Sequence, residues 1–334
     1  MKNIILSLAL VLPLVLSAQY SSHFLQRFTE SGKTGWRFST ATAANYGDIG
    51  SEAVDLSYSN NSSTTRGAKG DYSVAMGYNT TASGYASTAM GGYTKASGYG
   101  STAMGSYPTA SGDYSTAMGS FTTASGLIST AMGSRATASD YASLSIGSYN
   151  SVNSSVTGSA TAFNTANAAF VIGNGTASNA KSDAFVVYFN GNATLAGDLT
   201  INSDERLKDN IQPLGSTLNK LHQIEAKTYS LKKDEEHTPK IGVLAQEVQA
   251  VFPELVTEGA DGILSVNYQG LVPVLINAIN EQELKMSEQE AKIAALEAQN
   301  EQLAIASQKI EALEEMVRFL AVQQSQAASS VASN

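Results

Sequence analysis

One spacing governs this chain. Met76, Met90, Met104, Met118, Met132 and Ile146 stand 14 residues apart, and glycine follows each of them. Half a period later comes Ala-Ser-Gly, at residues 82–84, 96–98, 110–112 and 124–126, and a fifth copy ends in Asp140 instead. A fixed short period marks a stacked repeat, in which each unit buries its apolar groups only against its neighbours. Fourteen residues cannot make two helices, and Ser-Thr-Ala-Met-Gly is too rich in Gly, Thr and Ser for one. Two strands of about five residues with two tight turns fit, at about 3.3 Å per strand residue. Gly at two fixed phases supplies the positive φ that tight turns need. Alternation along a strand puts Thr and Met on one face and Ser and Ala on the other. Stacked rungs then line up a Met ladder, an Ala ladder and hydroxyl ladders, in a parallel β-roll.

One rung is too thin to enclose much core, so association between chains is expected. Tyr78, Tyr85, Tyr93, Tyr99, Tyr107, Tyr114 and Phe121 recur near the turns, either as packing residues or as ligand contacts on an adhesive surface. These 14-residue units resemble the head repeats of YadA-type trimeric adhesins over residues 71–147, with a weaker echo at Phe170-Val171-Ile172-Gly173. The resemblance implies a left-handed roll in a homotrimer and a host-surface, matrix or glycan ligand at the head. Those adhesins end in a membrane-embedded β-barrel, whereas this sequence ends in a polar helical pattern.

Composition excludes several classes. Residues 203–334 carry 20 Asp+Glu against 11 Lys+Arg, so the net charge of −9 lies entirely there. No basic patch stands out, and nucleic acid is not an expected partner. With no cysteine and three scattered histidines (His23, His222, His237), thiolate chemistry is excluded and neither a metal site nor a cofactor is expected. Residues 1–18 read as an export signal: Lys2, an apolar run over residues 4–16, then Ser17-Ala18. That run is shorter than the roughly 20 residues a membrane span needs. The mature chain, from Gln19, is expected to have no spanning segment and to be secreted or held at the cell surface. Residues 19–70, with Trp36 in a short strand-like piece, read as a cap over the open end of the stack. Residues 71–149 are the head repeats, and residues 150–202 a β-rich neck in which the register is lost. Within the neck, residues 184–189 read as a strand closed by a turn at Asn190-Gly191-Asn192.

After Asn202 the character changes. The sequence runs Ser203-Asp204-Glu205-Arg206-Leu207-Lys208, which contains a Ser and a Lys, the minimum pair for nucleophilic peptide cleavage without His or Cys. Serine Oγ is a weak nucleophile until a base takes its proton. Lysine serves as that base if desolvation or neighbouring positive charge, here Arg206, favours its neutral form. A spacing of five does not put both side chains on one face of a helix, so the pair belongs on a strand end or turn, or is completed by assembly. Pairing of Lys208 with Asp204, Glu205 or Asp209 is the competing arrangement, and it would hold the amine charged.

Further on come Lys240-Ile241-Gly242-Val243-Leu244-Ala245-Gln246-Glu247-Val248, Phe252-Pro253-Glu254-Leu255-Val256, Val266-Asn267-Tyr268 and Leu271-Val272-Pro273. In this order the motifs resemble the intramolecular chaperone auto-processing domain of endosialidases and phage tail-fibre proteins, over residues 203–290. The resemblance implies a domain that trimerises, guides folding of the fibre before it, and then cuts itself off. It implies Ser203 and Lys208 as the catalytic pair and Asn202–Ser203 as the bond cut. The pattern of this domain is α/β, with strands over residues 226–231, 240–244 and 262–266 and a helix over residues 245–251.

From about Tyr268 to Gln323 the pattern is helical. Leu296, Leu303, Ile310 and Val317 stand seven apart, with Ile293 and Asn300, then Leu313 and Leu320, at the other seam position. Residues 291–323 therefore read as a coiled coil, which needs partner helices, and residues 324–334 as a disordered tail. The expected whole is a mainly β, rolled N-terminal part and a C-terminal α/β chaperone domain ending in a long coiled-coil helix. The expected function is a self-cleaving fibre or adhesin. The alternative is a stalk whose C-terminal domain only trimerises.

Overall fold

The computed structural model describes residues 24–232 and 236–331. The export signal expected over residues 1–18 lies outside the described residues. The chain divides into two compact units, Met1–Asn202 and Ser203–Asn334.

The first unit is a β-solenoid. Its long strands stack in parallel in the order Val54–Tyr58, Val74–Tyr78, Thr88–Gly92, Thr102–Ser106, Thr116–Ser120, Thr130–Ser134, Leu144–Ser148 and Ala168–Asn174. Register follows the repeat: Met90 pairs with Met104, Met118 with Met132, and Met132 with Ile146. The second side of each rung is a two-residue strand, from Gly67–Ala68 to Thr137–Ala138, and not the five residues expected. The reason lies in the backbone. The N–H groups of Ser83 and Gly84 both converge on the Ala96 carbonyl, at 2.8 and 3.3 Å, which ends the ladder after two paired positions.

Side-chain alternation explains the core. Ala75, Ala89, Ala103, Ala117 and Ala131 on the long strands face Ala82, Ala96, Ala110, Ala124 and Ala138 on the short ones, all fully buried. Ser73, Ser87, Ser101 and Ser115 point inward with them, while the Thr and Met positions stay partly exposed. The interior is so narrow that only methyl-sized side chains fit at native packing density. The two glycine phases differ. Glycines after Met take positive φ, as at Gly91 (+120°), whereas the Ala-Ser-Gly glycines do not. At Gly84 a Cβ would overlap the Gly98 carbonyl oxygen of the next rung, so close approach of backbones is what requires glycine there. The positive φ at the turns is carried instead by side-chain-bearing residues, among them Tyr93, Tyr107 and Phe121. Their rings stack along the solenoid, with centroids 4.5 Å apart for Tyr93–Tyr107 and 4.7 Å for Tyr107–Phe121, and Arg135 lies over the Phe121 ring at 4.2 Å.

The ends of the stack are closed by charge and amide groups. Ahead of it, the antiparallel strands Leu25–Glu30 and Lys33–Phe38 carry buried Arg37, paired with Asp55 at 3.1 Å and Glu30 at 3.0 Å. At the far end, side-chain amides replace a missing rung. Asn150 Oδ1 accepts from the Thr137 N–H at 2.7 Å while its Nδ2 donates to the Thr137 carbonyl at 2.8 Å. Asn153 Oδ1 accepts from the N–H groups of Ser139 and Asp140. Asp140, in the position of a repeat glycine, is buried and accepts from the N–H groups of Thr157 and Ala168. The echo at Phe170 is a true rung, since Ile172 pairs with Ile146 and Gly173 with Gly147. The expected neck strand is Asp183–Tyr188, and Gly191 (φ +89°) turns it into Ala193–Leu195.

The second unit is a small α/β body. The helix Leu218–Leu221 leads to the hairpin Lys227–Tyr229 with Lys240–Gly242, and the helix Ala245–Val251 to the hairpin Val256–Glu258 with Leu264–Val266. The strands are three residues each, shorter than the expected 226–231, 240–244 and 262–266. Val248, Phe252 and Val274 are its buried core. The final helix, Leu271–Val331, tolerates Pro273 because its first-turn N–H groups lack intrahelical partners anyway. It also continues past Gln323, into the segment expected to be a disordered tail. Gln and Ala there are good helix formers, so nothing in that sequence stops it.

Candidate functional site

Ser203 and Lys208 flank a single 3-10 turn, Glu205–Leu207. Asp204 caps that turn through its side chain, accepting from the Arg206 N–H at 2.9 Å. The Leu207 N–H donates to the Asp204 carbonyl and the Lys208 N–H to the Glu205 carbonyl, both at 3.0 Å. Asp204 and Lys208 are themselves extended, with ψ of 136° and 146°. The turn rises about 2.0 Å per residue against about 3.3 Å in extended chain, which shortens the gap a lysine must span. Lys208 Nζ donates to Ser203 Oγ at 2.7 Å. The turn brings together a pair that helical spacing would have kept apart.

The competing partners of Lys208 are engaged elsewhere or stand apart. Arg206 grips Asp204 with two side-chain bonds, Nε at 3.0 Å and Nη2 at 2.7 Å. That guanidinium, with the Arg206 N–H, holds the Asp204 carboxyl below the usual aspartate range, and the carboxylate in turn raises Arg206. Asp209 accepts from the Asn210 N–H at 2.8 Å. Among the described residues no ion pair joins Lys208 to Asp204, Glu205 or Asp209.

In a single chain the pair stands in water. Every residue from Ser203 to Ser216 is exposed, including Leu207, Ile211 and Leu214. The arrangement is thus one of contact without burial. The cleft of this unit, about 560 Å³ and lined by Tyr229, Leu244, Ile263, Leu264 and Tyr268, does not include the pair. No group of three or more His, Cys, Asp or Glu among the described residues is placed to hold a metal ion. Among them, no helix is long and apolar enough to cross a membrane.

Sequence reasoning placed Arg206 beside Lys208 as a source of positive charge; the structure shows it spent on Asp204. The signal was the Asp-x-Arg spacing across one turn, which fits a bidentate pair only if that turn is 3-10 rather than extended.

Comparison with known proteins divides the chain at the same place. Residues 203–257 match the family model of Peptidase_S74, chaperone of endosialidase. Residues 68–150 match overlapping copies of the YadA head domain repeat. The chain is thus similar to YadA head repeats within its first unit and to the chaperone of endosialidase at the start of its second. Among curated proteins it is similar to the long tail fiber protein Gp37 of Escherichia phage AR1, 37% identical over 109 residues, covering 30% of this chain and 9% of that protein. It is also similar to Gp37 of Salmonella phage S16, 33% identical over 99 residues, covering 27% of this chain and 13% of that protein. The chain spans about a tenth of the length of these relatives.

Proposed function

We propose that this is an exported, fibre- or adhesin-like homotrimer, secreted or surface-held, whose C-terminal domain is an intramolecular chaperone that severs itself from the fibre between Asn202 and Ser203. The observation that carries the reading is the 2.7 Å contact of Lys208 Nζ with Ser203 Oγ, at the first residue of the second compact unit.

The chemistry closes within the chain. Ser203 supplies both the nitrogen of the scissile amide and the attacking oxygen. Neutral Lys208 Nζ takes the hydroxyl proton as Oγ attacks the Asn202 carbonyl carbon, closing a five-membered ring. The carbon–nitrogen bond breaks, Lys208 returns the proton to the departing Ser203 amine, and an ester joins Asn202 to Ser203 Oγ. Water then hydrolyses that ester. No cofactor enters, and the activity is one turnover in cis. Any ligand of the head is a host-surface, matrix or glycan partner presented along the stack.

Mass spectrometry of the purified full-length expression product, beside a denaturing gel, is the test. Wild type should yield a fragment beginning at Ser203, and Ser203→Ala and Lys208→Met should each leave the chain whole. An unchanged fragment pattern in Ser203→Ala would reject the assignment. The second reading, a stalk whose C-terminal domain only trimerises, is favoured by the full exposure of the pair. It requires intact wild-type chain in the assembled trimer.

A further inference from the structure

The Asp204–Arg206 pair lies between Ser203 and Lys208 in the chain, yet its side-chain bonds run within the pair and not to either of them. We propose that Arg206 is a positioning residue that keeps the Asp204 carboxylate off Lys208, so that the serine hydroxyl is the amine's partner. This inference rests on the autoprocessing reading above and assigns to Arg206 a task that reading leaves open.

The geometry carries it. Asp204 is the carboxylate adjoining Ser203 in the chain, and a carboxylate within about 4–6 Å of a lysine holds it in the charged form. A charged amine has no lone pair for the serine proton. Here both Asp204 oxygens are taken: Oδ1 by the N–H and Nε of Arg206, Oδ2 by its Nη2. The fork of a guanidinium matches a carboxylate edge, and lysine in its place would leave one oxygen free. The depressed Asp204 and raised Arg206 values agree with this grip. The charged groups around Lys208 are all on its own segment: Asp204, Glu205, Arg206 and Asp209. No other element packs there, since residues 203–216 are exposed and the hydrogen bonds of residues 203–210 stay within that segment among the described residues.

The idea separates two substitutions that break the same ion pair. Arg206→Gln frees the carboxylate to reach Lys208. Asp204→Asn removes that carboxylate while keeping an equally good cap for the turn. If the pair merely braced the turn, the two variants would fail alike.

The experiment uses the full chain, recovered unfolded in urea and refolded by dilution at pH 6–10, with fragment appearance followed on denaturing gels and trimer followed by size-exclusion chromatography. In Arg206→Gln the pH of half-maximal cutting should rise by about 1–3 units, with a loss of tenfold per unit at pH 7. Asp204→Asn and the double variant should cut with a midpoint at or below the wild-type one, so the second substitution rescues the first. An unshifted midpoint in Arg206→Gln would overturn the inference, as would an equal, pH-independent loss in both single variants. If Arg206→Gln does not assemble, the double variant and Asp204→Asn still decide, because a purely bracing role predicts loss in both. Ser203→Ala runs alongside: if it is cut like wild type, the autoprocessing reading itself fails. If it stays whole while the midpoints do not move, only the role of Arg206 fails.

Discussion

At the scale of single residues, two neighbouring glycines show how narrowly each rung is specified. Gly91 has φ of +120°, and a Cβ there would overlap the Gly105 carbonyl oxygen. Gly92, the next residue, has open space around its Cβ direction and no positive φ. Gly91→Ala should therefore destabilise the solenoid by about 1–3 kcal/mol from backbone strain alone. Gly92→Ala should be neutral or stabilising by about 0.4–1 kcal/mol, since it only restricts the unfolded chain. Paired thermal melts decide, and equal shifts would mean that glycine content matters rather than conformation. The sequence marked both repeat phases as glycine but could not say which needed positive φ and which needed close approach, because both demands read as a missing Cβ. The Ser203–Lys208 pair was nameable from residue types and family resemblance. The 3-10 turn that joins them was not, since three residues of 3-10 helix leave no periodicity to detect.

At the scale of elements, inward and outward faces were legible because a strand alternates with period two, and Ser-Thr-Ala-Met has small and large residues in strict alternation. The two-residue strand was not legible, because it depends on Ser83 and Gly84 sharing one acceptor rung by rung. Nor was the chain's excursion over residues 149–167 before the last rung, in which buried Asn153 and Asn167 hold the backbone by side-chain amide bonds. In the second unit, Glu281 anchors the short helix Leu218–Leu221 to the long one. Its carboxylate accepts from the Thr217 and Leu218 N–H groups and from the Ser216 hydroxyl. The Thr217 N–H first, with the others, lowers its pKa below the ordinary glutamate value. A depressed carboxylate contributes stability that is fully present above the unfolded value, about 4.3, and is lost as pH falls through the folded one. In a Ser203→Ala background, the melting temperature of Glu281→Gln should lie below the parent by a constant gap above about pH 5, and the gap should close in acid. A gap that persists at pH 3 would mean that Glu281 acts by shape rather than charge.

At the scale of the whole molecule, the long helix leaves a row of apolar side chains exposed in the single chain. Leu296, Leu303, Ile310 and Val317 are 50–64% exposed on a helix with no packed face beyond its first turns. Burying one such side chain fully is worth about 1.5–3 kcal/mol, so a few heptads supply a strong drive to associate. The same single chain leaves the Ser203–Lys208 pair exposed to solvent. Exposed Leu207 and Ile211 beside the pair are groups whose burial between copies would desolvate it. Under the proposed function this would couple cutting to assembly: the helices associate, the segment is covered, and burial then disfavours the charged amine. That order would let the template finish its task before it is released. Leu303→Asp with Ile310→Asp places charge in the seam and should leave the chain monomeric in analytical ultracentrifugation. It should also leave it uncut. A monomeric variant that still yields the fragment beginning at Ser203 would break the coupling, and the base would then have to be activated within one chain.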